Sequence, residues 1–356
     1  MFSKIFSLHG YILLGFFSVL MIFSSCKKEI DKEIIIEEDL VQNEAEEMPY
    51  NNPIVGQRAD PWVYKDTDGT YYFIATAPEY DRIEIRKANT INGLGTAEPQ
   101  VIWTKHETGN MGHHIWAPEL HKIDGKWYVY FAAGEVEDVW KIRMFTLSTD
   151  AADPTQGKWV EEGQIATERD SFSLDATTFE HNGKRYLIWA QSVREGENTS
   201  LVMSEMETPT KLKGPEIIIT DPEFDWERIG YKVNEGPAVL KRNGKIFVTY
   251  SASATDANYA VGLLWADADA DLMNEKSWNK SKEPVFYTNA EVRRFGPGHN
   301  SFTKSEDGEE DVMIYHTRVY EQIRGNSLYD FNRHTRARVI GWDKNGFPDF
   351  RQDTRD

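Results

Sequence analysis

The 356-residue chain contains a single cysteine, Cys26. One thiol excludes a disulfide within the chain and a zinc–thiolate cluster. Positive charge is also scarce: 40 lysines and arginines face 58 aspartates and glutamates, a net charge of −18. Such acidity argues against a nucleic-acid binder, which would need a basic face to displace counterions. An enzyme working on uncharged substrates is compatible with it. Long apolar runs are missing too. Tyr11 to Phe23 gives about a dozen apolar residues, the length of a signal h-region and too short to span a bilayer comfortably. After residue 50 no amphipathic helix of any length is evident. What remains is 40% hydrophobic and 13% aromatic residues, the composition of a globular protein.

The one cysteine is informative by its place. Lys4 starts the leader, the apolar run follows, and Ser24 and Ser25 precede Cys26. Residues 1–26 resemble a bacterial lipoprotein signal, in which the cysteine becomes the lipidated first residue of the mature chain. Phe23 stands where the usual lipobox has leucine. An uncleaved anchor or an ordinary signal peptide is the alternative. Residues 27–49 hold nine acidic and three basic residues and no glycine, and are read as a solvated tether. An acidic stretch after a lipidated cysteine resembles the surface-export signals of some Gram-negative lipoproteins. The expectation is an exported outer-membrane lipoprotein, on the cell surface or the periplasmic face, touching the membrane only through its lipid.

From residue 50 one pattern recurs: an apolar run, a polar turn ending in glycine, then a run rich in β-branched and aromatic residues. The segments begin at Asp60, Trp116, Leu174, Asn234 and Gly298. Their turn dipeptides are Asp68-Gly69, Asp124-Gly125, Asn182-Gly183, Asn243-Gly244 and Asp307-Gly308, all hairpin signals. The glycines are 56, 58, 61 and 64 residues apart. A strand-built period near sixty residues predicts an all-β, five-bladed β-propeller over residues 50–356. A sandwich or β-helix does not expect this spacing. The runs 82–88, 141–148, 199–206 and 259–266 are read as outer strands. Residues 51–57 and the C-terminal run 334–350 are the candidates for closing the ring.

In a propeller the starts of the innermost strands converge on one funnel. Asp60 in "RADPWV", Asp175 in "SLDATTF" and Glu235 in "NEGPAVL" occupy such starts in blades one, three and four. "WAP" (116–118) and "GHN" (298–300) hold the place in blades two and five. Aspartate at a strand start is also a common turn cap. Three carboxylates at one repeat position point instead to glycoside hydrolysis, which needs a general acid and an opposing base or nucleophile. A third carboxylate raises the acid's pKa by like-charge repulsion.

Taken in this order, those three motifs and "HIWAPELHKIDGKWYVYFAA" resemble glycoside hydrolase family 43, over residues from about 50 to the C-terminus. The resemblance implies an inverting enzyme on arabinose- or xylose-containing plant polysaccharides. It implies Asp60 as the general base, Glu235 as the general acid and Asp175 as the residue that tunes and orients the acid. It implies His299 as an axial histidine facing calcium or another ion through water, with no cofactor required. A lone histidine is a poor calcium site, since calcium prefers many oxygen ligands. Trp62 and Trp116 are candidate sugar platforms, with packing inside inner strands as the alternative. His114, with His113, is expected at the funnel rim. His334 and Arg336 are the candidates to reach the funnel from the C-terminal run, where the family places an arginine. The "IWAPELH" stretch is more similar to the α-L-arabinofuranosidase branch, in its exo-α-1,5 form, than to the β-xylosidase branch; an endo-arabinanase is a further alternative. Fructan hydrolases of family 32 share the architecture, but their middle motif reads "RDP" where this chain has "LDA". A glycan-binding propeller without catalysis would not need all three carboxylates.

Overall fold

A computed structural model describes residues 49–356. The leader, Cys26 and the tether as far as residue 48 lie outside the described residues. The remainder is built from strands, with only short 3-10 turns for helix.

Blade one is an antiparallel meander of β1 (Ala59–Lys65), β2 (Tyr71–Thr76), β3 (Arg82–Ala88) and β4 (Gln100–Thr104). Blade two repeats it with β5 (His113–Ile123), β6 (Lys126–Gly134), β7 (Arg143–Thr149) and β8 (Val160–Gln164). Blade three holds β9 (Ser173–His181), β10 (Lys184–Gln191) and β11 (Ser200–Thr208), with β12 (Lys211–Leu212) and β13 (Ile217–Thr220) both on β11. Blade four is β14 (Asn234–Arg242), β15 (Lys245–Ala252), β16 (Ala260–Asp267) and β17 (Asn279–Lys280). Blade five is β18 (Phe295–Lys304), β19 (Asp311–Arg318) and β20 (His334–Val339). The runs read as outer strands are therefore third strands; short, more exposed fourth strands lie outside them.

The inner strands β1, β5, β9, β14 and β18 pack against one another in a closed cycle. Five apolar clusters fill the wedges between blades. One places Ile74 and Ile85 of blade one against Val129 and Leu147 of blade two. Another sets Tyr50, Ile54 and Val55 with Val63 and Phe73 of blade one and Val312 and Ile314 of blade five. Segment 51–57 closes the ring, as Val55 exchanges backbone hydrogen bonds of 3.4 and 2.9 Å with Thr335 on the outer side of β20. The C-terminal run supplies β20 itself and a small hairpin of β21 (Gly341–Trp342) and β22 (Pro348–Asp349).

The turn chemistry divides in two. Asp124-Gly125, Asn182-Gly183 and Asn243-Gly244 have positive φ at both residues, the two-residue hairpin geometry. In blades one and five only the glycine does, and the loop is longer. Gly69 N donates to Asp66 O at 3.0 Å and Gly308 N to Ser305 O at 2.9 Å.

A second repeat lies inside the inner strands. β5 and β18 break register twice, but every inner strand breaks at one equivalent point and carries a residue in the left-handed region there. These are Asp60 (φ 52°), Ala117 (45°), Asp175 (56°), Gly236 (56°) and His299 (42°). A bulge of this kind bends the strand and re-aims side chains. Here it does so five times around one axis.

Candidate active site

The bulges place the acids, and they correct one part of the sequence reading. Asp60 and Asp175 are equivalent, both at the left-handed position. Glu235 is not their equivalent: Gly236 holds that place, and Glu235 matches Trp116 of blade two, one residue before. The three carboxylates nevertheless face one cavity of about 490 Å³, whose walls come from all five blades. Within it are Asp60, Asp175, Glu235, Trp116, His299 and Arg333.

Asp60 is the most heavily held. Its Oδ2 accepts from the Thr76 hydroxyl at 2.6 Å, and that hydroxyl in turn accepts from Ala117 N at 2.8 Å. Its Oδ1 lies 3.3 Å from His299 Nδ1, 3.4 Å from His316 Nδ1 and 3.6 Å from Arg333 Nη1. The Asp60 backbone N–H donates to His316 Nδ1 at 3.1 Å, so that nitrogen carries no proton. Burial alone would push this carboxyl up; His299, Arg333, His316 and Thr76 outweigh it and pull it down to about 2. Burial holds both histidines below their usual range, which leaves Arg333 as the permanent cation beside Asp60.

The other two acids are shifted the opposite way. Burial raises Glu235 to about 7, against the Tyr259 hydroxyl that donates to Oε1 at 2.8 Å. Asp175 is pushed well above its ordinary range by burial, then by Glu235 and Asp60, although Gly236 N donates to its Oδ2 at 3.0 Å. Two buried carboxyls that repel one another share a proton near neutrality. The site thus holds a carboxylate ready to accept a proton and a carboxyl ready to give one.

Gly236 is a glycine for a packing reason. Ala117 adopts nearly the same φ in blade two, so the conformation alone does not demand it. A Cβ at 236 would sit 2.9 Å from Cγ of the His299 ring. Below the site, the buried Glu227 carboxylate accepts from Tyr250 at 2.7 Å, from Asn234 at 3.1 Å and from the amides of Glu223 and Phe224, and pairs with Lys280 at 2.8 Å. It ties the start of β14, next to Glu235, to the loop ahead of it.

Several expected contacts fall elsewhere. Trp62 does not line the cavity: its indole N–H donates to Leu120 O at 2.8 Å and its ring packs on His121, inside the wedge between blades one and two. Arg336 also lies outside. It points to Asp356 at 3.4 Å, and Arg333, ahead of β20, is the arginine in the cavity. His334 accepts from Gln57 N at 3.1 Å, at the ring closure. Trp116 does line the cavity, T-shaped to Tyr80. His114 is buried behind it, stacked on its ring at 4.4 Å and bonded to Val139 O and the Tyr329 hydroxyl, and so braces the wall rather than forming the rim. At His299, no three His, Cys, Asp or Glu side chains among the described residues are spaced to hold a metal. The residues there do not assemble a protein-ligated cation site.

Sequence reasoning missed Tyr80, Trp140, Tyr231, Tyr259 and Arg333, all on the cavity. Most lie in connections between strands. Arg333 lies just ahead of β20, at the end of the long connection after β19, where no strand period can be read.

Comparison with known proteins agrees with this geometry. Glycosyl hydrolases family 43 matches residues 50–348. An extracellular exo-α-(1→5)-L-arabinofuranosidase of Streptomyces avermitilis is 56% identical over 302 residues, 85% of this chain and 63% of that protein. One of the same description from Streptomyces chartreusis is 57% identical over 279 residues, 78% of this chain and 85% of that protein. The crystal structure of an α-L-arabinofuranosidase from Lactobacillus brevis superposes with a TM-score of 0.83 at 49% identity, covering 86% of this chain and 97% of that one. The chain thus spans less than two thirds of the length of the S. avermitilis protein it matches.

Proposed function

The chain belongs to glycosyl hydrolases family 43, and from that premise we propose that it is an inverting α-L-arabinofuranosidase, acting on the ends of α-1,5-linked arabinan. The observation that carries this reading is the split between Asp60, pulled down to about 2, and Glu235, raised to about 7, across one walled cavity. Environments that push two carboxyls apart assign base and acid. The names of the similar proteins supply the sugar.

In this reaction Asp60 accepts a proton from water as its oxygen attacks the anomeric carbon. The glycosidic C–O bond breaks, and the leaving oxygen takes the proton of Glu235. Burial and the Asp60 charge hold the acid's pKa up; Asp175 is raised in turn by burial and Glu235 and is oriented by Gly236 N. Arg333 and His299 fix the base. Trp116 offers an apolar face to the sugar ring.

The test uses the chain from about residue 50, with 4-nitrophenyl α-L-arabinofuranoside, 4-nitrophenyl β-D-xyloside and linear arabinan. Arabinose release by the wild type, lost in Glu235→Gln, is the expected outcome. Above about pH 7, kcat/KM falls about tenfold per unit as Glu235 ionises. The acid limb lies near 2, below the range in which most proteins stay folded. Cleavage of the xyloside alone would change the sugar; full activity in Glu235→Gln would remove the acid assignment.

The similar Streptomyces proteins are extracellular by name. This supports export, and the leader ending at Cys26 carries the finer reading, an anchor in the outer membrane through that cysteine. Detergent partitioning of the full-length chain and its Cys26→Ser variant tests the anchor: the wild type enters the detergent phase and the variant does not. Equal partitioning would sink it.

A further inference from the structure

The glycines of "FGPGHNSF" are not explained by His299 alone. Gly298 lies on β18, and a Cβ there would meet Cε1 of Tyr259 at 2.4 Å and Cδ1 at 2.5 Å. At Gly296 a Cβ would fall 1.9 Å from Asp256 O, the carbonyl that accepts the Tyr259 amide. Both glycines therefore clear space for one turn and one ring. That ring is 1% exposed and lies parallel to His316, 8° between planes and 5.7 Å between centroids. His316 is the residue whose Nδ1 accepts the Asp60 amide. Tyr259 is thus clamped by a strand on one side and by a neighbour of Asp60 on the other, and its hydroxyl ends 2.8 Å from Glu235 Oε1.

We propose that Tyr259 is the positioning residue of Glu235: its hydroxyl donates to Oε1, so the transferable proton resides on Oε2 and is directed at the leaving oxygen. The proposal rests on the reading of Glu235 as the acid. A phenol that donates to one carboxyl oxygen leaves the other to carry the acidic proton. When Oε2 passes that proton to the leaving oxygen, the carboxylate formed accepts the same hydrogen bond more strongly, because its acceptor is now charged. Tyr259 therefore favours the state reached after proton transfer. The charged and titratable groups facing Glu235 are Asp60, Asp175, Arg333, His299 and Tyr259. Of these, Tyr259 is the one that hydrogen-bonds Glu235 directly among the described residues.

Tyr259→Phe tests this, since it keeps the ring and removes the donor. A hydrogen bond to the charged form lowers a carboxyl's pKa, so its loss moves the alkaline limb of kcat/KM to higher pH, by about one unit. The plateau kcat on arabinan falls about tenfold or more, the scale of one hydrogen bond to a charged group. On a 2,4-dinitrophenyl arabinofuranoside, whose leaving group needs little protonation, kcat changes much less. A merely structural role would lower both substrates alike and leave the limb in place. A readout independent of turnover is the 13C NMR titration of the Glu235 carboxyl, assigned by difference from Glu235→Gln. An upward shift in Tyr259→Phe supports the pairing even if no arabinoside is cleaved, in which case the functional reading fails alone. An unmoved titration overturns the proposal.

Discussion

At the residue scale the site is made by left-handed backbone as much as by side-chain chemistry. Asp60 and Asp175 sit where φ is positive, a region aspartate tolerates better than most residues. The sequence reading placed the acids at strand starts and grouped all three as equivalents. Glu235 reaches the same cavity from one residue earlier because Gly236 takes the bulge. The His299 ring of the next blade leaves no room for a side chain at 236, a contact between blades that no local pattern in "NEGP" marks. Gly236→Ala puts a methyl 2.9 Å from that ring. His299 must move, and with it a contact of Asp60. The expected result is a loss of about 1–3 kcal/mol in urea denaturation, from overpacking. The drop in kcat should exceed what Ala at a neutral surface glycine causes. Stability and kcat both within error of wild type would mean that the ring has room to shift and that Gly236 is not needed for it.

At the scale of elements, legibility follows the range of the interactions. Hairpins are local, so the five turn dipeptides gave their position directly. Their type was less visible: Asp68 and Asp307 look like Asp124 but lack its positive φ, because their loops close through Asp66 and Ser305. Third strands were legible as outer strands; beyond them lie fourth strands of five residues at most, of which "VEEGQ" and "NK" carry almost no apolar signal. Trp62 shows the limit of reading a motif by its neighbours. It lies two residues from Asp60, beyond the bulge, and register there sends it into the wedge with His121. Arg333 shows the reverse. Its place depends on a long connection after β19, pinned where Arg318 bonds Thr255 O, Ser327 O and Asp330. Such a connection has no period to read, so Arg336, inside a clear strand pattern, drew the assignment.

Across the whole molecule, five wedges of apolar packing carry the fold, and the axis is left to polar groups that oppose it. Glu235 illustrates the cost. Its pKa is 4.5 ordinarily and about 7 in the fold. Between those values the folded chain holds a proton that the unfolded chain has lost, so stability falls as pH rises through that window and the loss is complete above about 7. Asp60 acts oppositely and elsewhere: its depressed pKa contributes stability above its ordinary 3.8, lost as pH falls through about 2. The net charge of −18 adds self-repulsion common to wild type and variants. Glu235→Gln removes the ionisation and keeps the shape. Relative to wild type it should gain about 1–3 kcal/mol on going from pH 5 to pH 8, the size of a shift of one to two units. Urea midpoints of both proteins at the two pH values measure this. Asp175 remains in the variant with its strongest like charge removed, which flattens the variant's dependence further in the same direction. A wild-type and variant difference that is equal at pH 5 and pH 8 would show that Glu235 is not raised in the free protein, and the acid would then gain its proton only when substrate closes the cavity.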